Sequence, residues 1–398
     1  MTPSPVGYHG SFVDVDGNDR SQAFRLRGTS ALFQRAKSLY ATLPRALAPG
    51  GRALPPHVYY FEVTRACNLR CQMCQYIDFL ENVPVKEQRV GELTTDEWLD
   101  VIAQIEPASL VIFSGGELFV RPDMMTILDA ATKRARVHFI TNGTMLDDAR
   151  VAELERRFAP RLGRKGINIV SISIDGPPAA HDLIRRKPGG FARTAEGIGR
   201  LHAARAGRAR RVPMLTTTTV IQPDNVDTLA ELPALLAELD IDIMNLATET
   251  RVQDLADFGK RAPRDIETSE ITWASIERGR LDEALDRTMA AADAAGIELR
   301  MPRMPRADLL DFYDGGTDGV PTRLDLSGYD CLTPWFGIAV DPWGSVMSCA
   351  SYSYGNVREA RLADLWNGDR ARAFRRTSRE GLYDFCPGCC MLEHRSAI

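Results

Sequence analysis

Between Val58 and Leu246, short runs of apolar and β-branched residues alternate with longer segments in which apolar positions return every three or four residues. The short runs, Val58–Val63, Leu110–Phe113, Val137–Ile140, Ile167–Ile174, Met214–Ile221 and Ile241–Leu246, have strand character. The longer segments predict helices near Thr95–Ile105, Pro122–Ala135, Asp147–Phe158, Phe191–Ala206, Asn225–Leu239 and, after the last strand, Arg280–Ala295. Six βα units in succession imply a parallel sheet wrapped by helices. It is either doubly wound or curled into a barrel, and periodicity does not choose between the two.

The flanks follow a different pattern. Residues 1–55 hold one predicted helix, Thr29–Ala46, with Leu32, Phe33, Ala36, Leu39 and Tyr40 on one face, and form an N-terminal extension. Beyond Arg300, residues 301–330 are rich in Pro, Asp and Gly and read as a long connection. A hairpin is predicted over Phe336–Ser348, turning at Asp341 to Gly344, and a helix near Leu362–Arg375. The expected organisation is an extension (1–55), an α/β domain (56–300), a connection (301–330) and a small α+β module (331–398).

With 398 residues, 44% of them hydrophobic, the chain is long enough for this plan. Its net charge of −4 gives no global basic field for a nucleic acid, and the clusters Arg161–Lys165 and Arg205–Arg211 read as solvated helix faces. No run of 18 apolar residues and no signal-like N-terminus occurs, so a cytoplasmic protein without a membrane partner is expected. In that compartment eight cysteines point to metal rather than to disulfides. They fall into two groups, Cys67, Cys71 and Cys74, then Cys331, Cys349, Cys386, Cys389 and Cys390.

Cys67-x3-Cys71-x2-Cys74 follows the first strand. A closed zinc site takes four protein ligands, whereas three thiolates on a cluster leave one iron open for a small molecule. Ser114-Gly115-Gly116-Glu117 ends the second strand, where two glycines allow a close approach to backbone and the Glu offers a carboxylate for an amino group. Thr141-Asn142-Gly143 ends the third strand and Ser173-Ile174-Asp175-Gly176 the fourth. Asx-Gly pairs also make ordinary turns, but polar groups recurring at one end of successive strands are how a barrel assembles a site. Downstream, Arg185 or Arg186 has the chemistry to pair bidentately with a carboxylate.

Together these motifs resemble the core of a radical S-adenosylmethionine (SAM) enzyme, over roughly residues 57–250. The resemblance implies a partial (β/α)6 TIM-type barrel in which Cys67, Cys71 and Cys74 hold a [4Fe-4S] cluster and SAM binds its open iron. It implies that Gly115, Gly116 and Glu117 hold the SAM amino group, that Asn142, Ser173 and Asp175 lie near SAM, and that Arg185 pairs with its carboxylate. Met73 stands where many members carry an aromatic residue.

The later cysteines resemble a SPASM or twitch module. Five thiols do not fully ligate two further cubanes, so one auxiliary [4Fe-4S] cluster on Cys331, Cys349, Cys386 and Cys389 is expected. Zinc on the same four ligands is the alternative, and with it a binding protein without redox activity. Cys390 is left over, either spare, a substitute for Cys389, or a hydrogen donor in an epimerisation. The resemblance implies hydrogen abstraction from a small, carbohydrate-like or aminocyclitol-like substrate with oxidation or epimerisation, served by a reductant such as flavodoxin or ferredoxin. Modification of a ribosomally made peptide is the alternative within the same chemistry.

Overall fold

The computed structural model describes residues 39–48, 50–159, 165–208, 211–249, 275–314, 325–349, 352–382, 386, 389 and 391–395. Cys390 and the predicted helix positions Leu32, Phe33 and Ala36 lie outside the described residues. The six predicted strands are present as β1 (Val58–Thr64), β2 (Leu110–Gly115), β3 (Arg136–Thr141), β4 (Gly166–Ser173), β5 (Met214–Val220) and β6 (Ile243–Ala247). They are joined side by side in sequence order, all parallel, with β7 (Glu298–Arg300) added beyond β6. Helices follow the strands on one face, as in Thr95–Ala103, Met124–Arg134, Asp148–Glu155 and Gly190–Arg205. This is the partial barrel expected.

Side chains alternate across each strand. One face, with Phe61, Val63, Val111, Phe113, Val137, Phe139, Val170, Ile172 and Leu215, joins the helices in the main core. The other face is apolar toward the strands' starts, with Leu110, Ile112, Ile169, Met214 and Ile243, and polar toward their C-terminal ends, with Glu62, His138, Ser171, Ser173, Thr216 and Thr218. That polar inner face is what an active barrel needs.

The described parts of 301–330 hold more regular structure than a bare connection. They include the helix Arg306–Tyr313 and a short strand, β8 (Tyr329–Asp330). The predicted hairpin forms as β9 (Gly337–Val340) and β10 (Ser345–Cys349), extended by β11 (Tyr352–Asn356). Its turn is set by Asp341, whose carboxylate accepts from the amides of Trp343 (2.9 Å) and Ser345 (2.8 Å), and by Gly344 at φ +88°. The hairpin does not stand apart: β9 pairs parallel with β1, so one ten-stranded sheet runs through both modules. A further strand, β12 (Glu393–His394), pairs with β8. The expected single helix near Leu362–Arg375 is two, Leu362–Trp366 and Asp369–Glu380, parted at Gly368.

Two surface expectations are corrected. Leu39, placed on the buried face of the N-terminal helix, is 57% exposed, while Ala41 on the opposite side is the buried position. Arg205 is not a solvated cation but a buried one, bonded to Asp242 at 2.5 Å and Asp240 at 3.3 Å, which anchors its helix end to β6. No helix among the described residues is long and apolar enough to cross a membrane.

Candidate active site

The cysteine loop leaves β1 at Thr64, and the first thing that shapes it is the glycine pair of β2. A Cβ on Gly115 would lie 2.2 Å from the Thr64 carbonyl oxygen, and one on Gly116 2.2 Å from that of Ala66. Gly116 and Glu117 donate their amides to these same carbonyls at 2.8 and 3.0 Å. One side of the glycine pair is therefore taken by the chain's own loop. It delivers Cys67, Cys71 and Cys74 to the C-terminal end of the strands.

The sulfurs are already engaged by backbone donors. Leu69 N–H points at Cys67 and Tyr76 N–H at Cys74, each at 3.4 Å. Burial pushes Cys67 up to about 12 and Cys74 to about 11, and raises Cys71 as well. The thiolate form at these positions would need a compensating positive centre nearby. Among the described residues no three His, Cys, Asp or Glu side chains stand close enough for a single ion.

Glu117 is fully buried, and its carboxylate is held by Thr141 Oγ1 (2.9 Å), Asn142 N (2.8 Å) and Phe119 N (3.2 Å). It acts as a post that ties the ends of β2 and β3 together. The carboxylate open to an amino group that the sequence suggested is not the arrangement found. Asn142 continues the link, its Nδ2 donating to Asn68 Oδ1 at 2.8 Å beside Cys67. Asp175 accepts from Arg185 Nε at 2.7 Å and from Val220 N at 3.0 Å, with no exposed surface. Arg185 reaches onward to the Cys71 thiol. Burial opposes its charge, but Asp175 and the thiols keep it firmly protonated. Arg186, by contrast, pairs with Glu81 on the surface at 2.8 Å. Ser173 stands half-buried at the end of β4.

Residues 61–236 match the radical SAM superfamily, and residues 331–390 match the iron–sulfur cluster-binding domain termed SPASM. An AdoMet-dependent heme synthase of Nitratidesulfovibrio vulgaris is 34% identical over 344 residues, covering 83% of this chain and 84% of that protein. The chain belongs to the radical SAM superfamily. A PqqA peptide cyclase of Streptomyces rochei is 29% identical to this radical SAM chain over 352 residues, 84% of the chain and 80% of that protein. In fold it is similar to SuiB of Streptococcus suis bound to its precursor peptide SuiA, with a TM-score of 0.57 at 14% identity over 89% of this chain and 73% of that one. Superfamily and SPASM module together imply SAM, a [4Fe-4S] cluster on the barrel and auxiliary iron–sulfur chemistry at the C-terminus.

The C-terminal thiols come from three segments of this radical SAM chain. Cys331 follows β8, Cys349 ends β10, and Cys386 and Cys389 share a turn closed by Cys389 N to Cys386 O at 3.0 Å. Pairing of β12 with β8 returns that turn toward Cys331. Cys331 and Cys349 lie within electrostatic reach of each other, and burial pushes Cys331 up to about 12.

Inside the barrel, His138 Nε2 meets Ser171 Oγ at 2.8 Å, and Ser171 meets Thr216 Oγ1 at 2.6 Å, a chain across β3, β4 and β5. Burial lowers His138 to about 4, so its ring is neutral near pH 7. At the rim, Glu62 accepts from the Tyr76 hydroxyl at 2.7 Å, while Arg65 lies against the rings of Tyr76 and Trp343. None of these was found by motif. The signal was present as polar residues at every second position of otherwise apolar strands.

Proposed function

We propose that this radical SAM enzyme modifies a peptide, taking a hydrogen from a residue held at the mouth of the barrel. The observation that carries the reading is the inner face of the sheet, where His138, Ser171, Thr216, Thr218 and Asn245 present neutral hydrogen-bonding groups. Amide groups are satisfied by such partners without the cost of desolvating a charge. The alignment with a PqqA peptide cyclase through both modules supports it.

With SAM and the cluster bound, the site supplies a 5′-deoxyadenosyl radical that abstracts hydrogen from the substrate. In this proposal Cys67, Cys71 and Cys74 hold the cluster and Arg185 meets the SAM carboxylate. Asp175 turns the guanidinium through its Nε, leaving the rest of the fork directed toward Cys71. Ser173 adds a hydroxyl at the same strand end, and the backbone of Gly115, Gly116 and Asn142 meets the remaining polar groups of SAM. Glu117 fixes that backbone. Cys331, Cys349, Cys386 and Cys389 hold the auxiliary cluster, and a flavodoxin or ferredoxin supplies the electron.

A second reading, a small polar metabolite oxidised or epimerised, is favoured by the five C-terminal thiols, too few for two ligated clusters, and by the heme synthase relative. A carbohydrate-like substrate belongs to this second reading, with Cys390 as the hydrogen donor of an epimerisation. The test is anaerobic incubation of the iron-loaded enzyme with SAM and dithionite. Fractions of short peptides and of small metabolites are compared for stimulated 5′-deoxyadenosine and for transfer of substrate deuterium into it. Stimulation by metabolites alone would overturn the peptide reading.

A further inference from the structure

Six arginines are buried among the described residues: Arg65, Arg121, Arg185, Arg205, Arg300 and Arg375. Five face a carboxylate: Arg65 faces Glu62 (3.9 Å), Arg121 Asp123 (2.7 Å), Arg185 Asp175 (2.7 Å), Arg205 Asp242 (2.5 Å) and Arg300 Glu298 (2.6 Å). Arg375, with no exposed surface at all, has no carboxylate beside it among the described residues. Its Nε donates to the Pro334 carbonyl at 2.5 Å and its Nη1 to that of Gly51 at 3.1 Å, and its guanidinium lies 4.0 Å from the centre of the Trp366 ring. Nη2 has no partner. A cation buried without a counter-charge is strongly disfavoured, so an arrangement of this kind calls for an anion to complete it.

The neighbours of Arg375 indicate where that anion sits. Tyr354 senses Arg375, and it also senses the thiols of Cys349 and Cys331. Its hydroxyl is buried beside that of Ser348, which is donated to the Gly337 carbonyl at 2.7 Å. The Pro334 carbonyl that Arg375 holds stands three residues after Cys331, and Tyr354 lies on β11, whose Tyr352 pairs with Cys349 at the end of β10, so Arg375 Nη2, left without an acceptor, belongs to the part of the C-terminal module that carries both thiols. A four-thiolate iron–sulfur cluster is an anion whose sulfurs accept hydrogen bonds, and nearby charge and hydrogen bonds set its potential.

We propose that Arg375, aided by Tyr354, is the counter-charge of the auxiliary cluster and holds that cluster at a higher reduction potential than its thiolates alone would give. Arg375 is a positioning and tuning residue, since it touches no substrate. The inference rests on the reading that Cys331, Cys349, Cys386 and Cys389 hold an iron–sulfur cluster, and the test separates the two.

The holoenzyme and its Arg375→Gln variant, which keeps an amide for the carbonyls while removing the charge, are titrated potentiometrically with detection by electron paramagnetic resonance. The expected result is a shift of the auxiliary signal to lower potential, with the SAM-site signal unmoved and the iron count unchanged. Equal potentials in both proteins overturn the role of Arg375. Iron sufficient for only the SAM-site cluster in the unaltered enzyme instead overturns the cluster reading itself. If the variant does not fold, unaltered enzyme grown on 15N-arginine is examined by pulsed resonance on the reduced auxiliary cluster. A weakly coupled arginine nitrogen is expected, and its absence overturns the proposal.

Discussion

Cys67, Cys71 and Cys74 come from one short loop beside the paired Arg185 and Asp175, whereas Cys331, Cys349, Cys386 and Cys389 are gathered from three segments of a module that also buries Arg375 with one donor unpartnered. The first site is made by local geometry: a strand end, two glycines that admit the loop, and a Glu117 post. The second depends on long-range pairing, with β9 against β1 and β12 against β8. The first arrangement favours placing a ligand accurately, and the second favours setting the electronic character of what is held. On the reading proposed above, radical generation and radical fate fall to parts of the chain built on different principles.

The largest effect that tests this division comes from removing one thiol at each site. Cys71→Ala should abolish SAM cleavage and lower the iron content by roughly four per chain. Cys349→Ala should lose a similar amount of iron yet still form 5′-deoxyadenosine, with product formation reduced. Iron analysis and chromatography of the nucleoside read both, and loss of SAM cleavage in Cys349→Ala would erase the division of labour.

Next in size is Asp175→Asn, which leaves Arg185 buried without its carboxylate. Breaking a buried pair in this way costs about 3–5 kcal/mol. Urea denaturation should report that loss, and SAM affinity should fall because the guanidinium is no longer turned toward Cys71. Unchanged SAM binding would leave Asp175 a purely structural residue.

A smaller loss is expected from Gly116→Ala. Its methyl would lie 2.2 Å from the Ala66 carbonyl oxygen, which is backbone and cannot swing aside. Overpacking of this sort costs about 1–3 kcal/mol, and here the strain falls on the loop that begins the cysteine run. Iron should be lost from the first site while the C-terminal site keeps its own, as two resolved resonance signals would show.

The difference between the two sites also explains what could be read in advance. The six strands, the loop thiols and the strand-end motifs are contiguous in sequence and carry period-2 patterns or glycine punctuation, so each was visible locally. Gly115 and Gly116 were read rightly as a close approach, but the loop that also makes one, Thr64 to Ala66, lies some fifty residues away in sequence and gave no local sign. Glu117 and Asp175 looked like ligands because a carboxylate at a strand end has the same letter whether its partner is a substrate or an internal donor. The parallel seating of β9 on β1 carried no local signal, since Gly337–Val340 reads the same in a separate hairpin as in an extended sheet. Arg375 was hidden for a related reason: in a helix dense with arginine, nothing marks the one that turns inward.

The smallest expected effect concerns the seam between the two modules, where Arg358, next to β11, bonds Glu97 of the helix Thr95–Ala103 at 2.6 Å. The Arg358 guanidinium holds Glu97 down at about 2, helped by the Thr94 amide and hydroxyl of the capping box. A carboxylate with a depressed value in the folded state stabilises above its unfolded value of 4.5, and that stabilisation is lost as pH falls toward 2. Both partners are close to solvent, so Arg358→Ala should cost only about 0.2–1 kcal/mol at neutral pH, less at high salt. The same substitution should flatten, without abolishing, the acid-side loss of stability, because Thr94 still holds the carboxylate. Urea midpoints of both proteins across the acid range read this directly. A loss well beyond one surface pair would mean that the seam, and not only the ten-stranded sheet, holds the auxiliary module against the barrel.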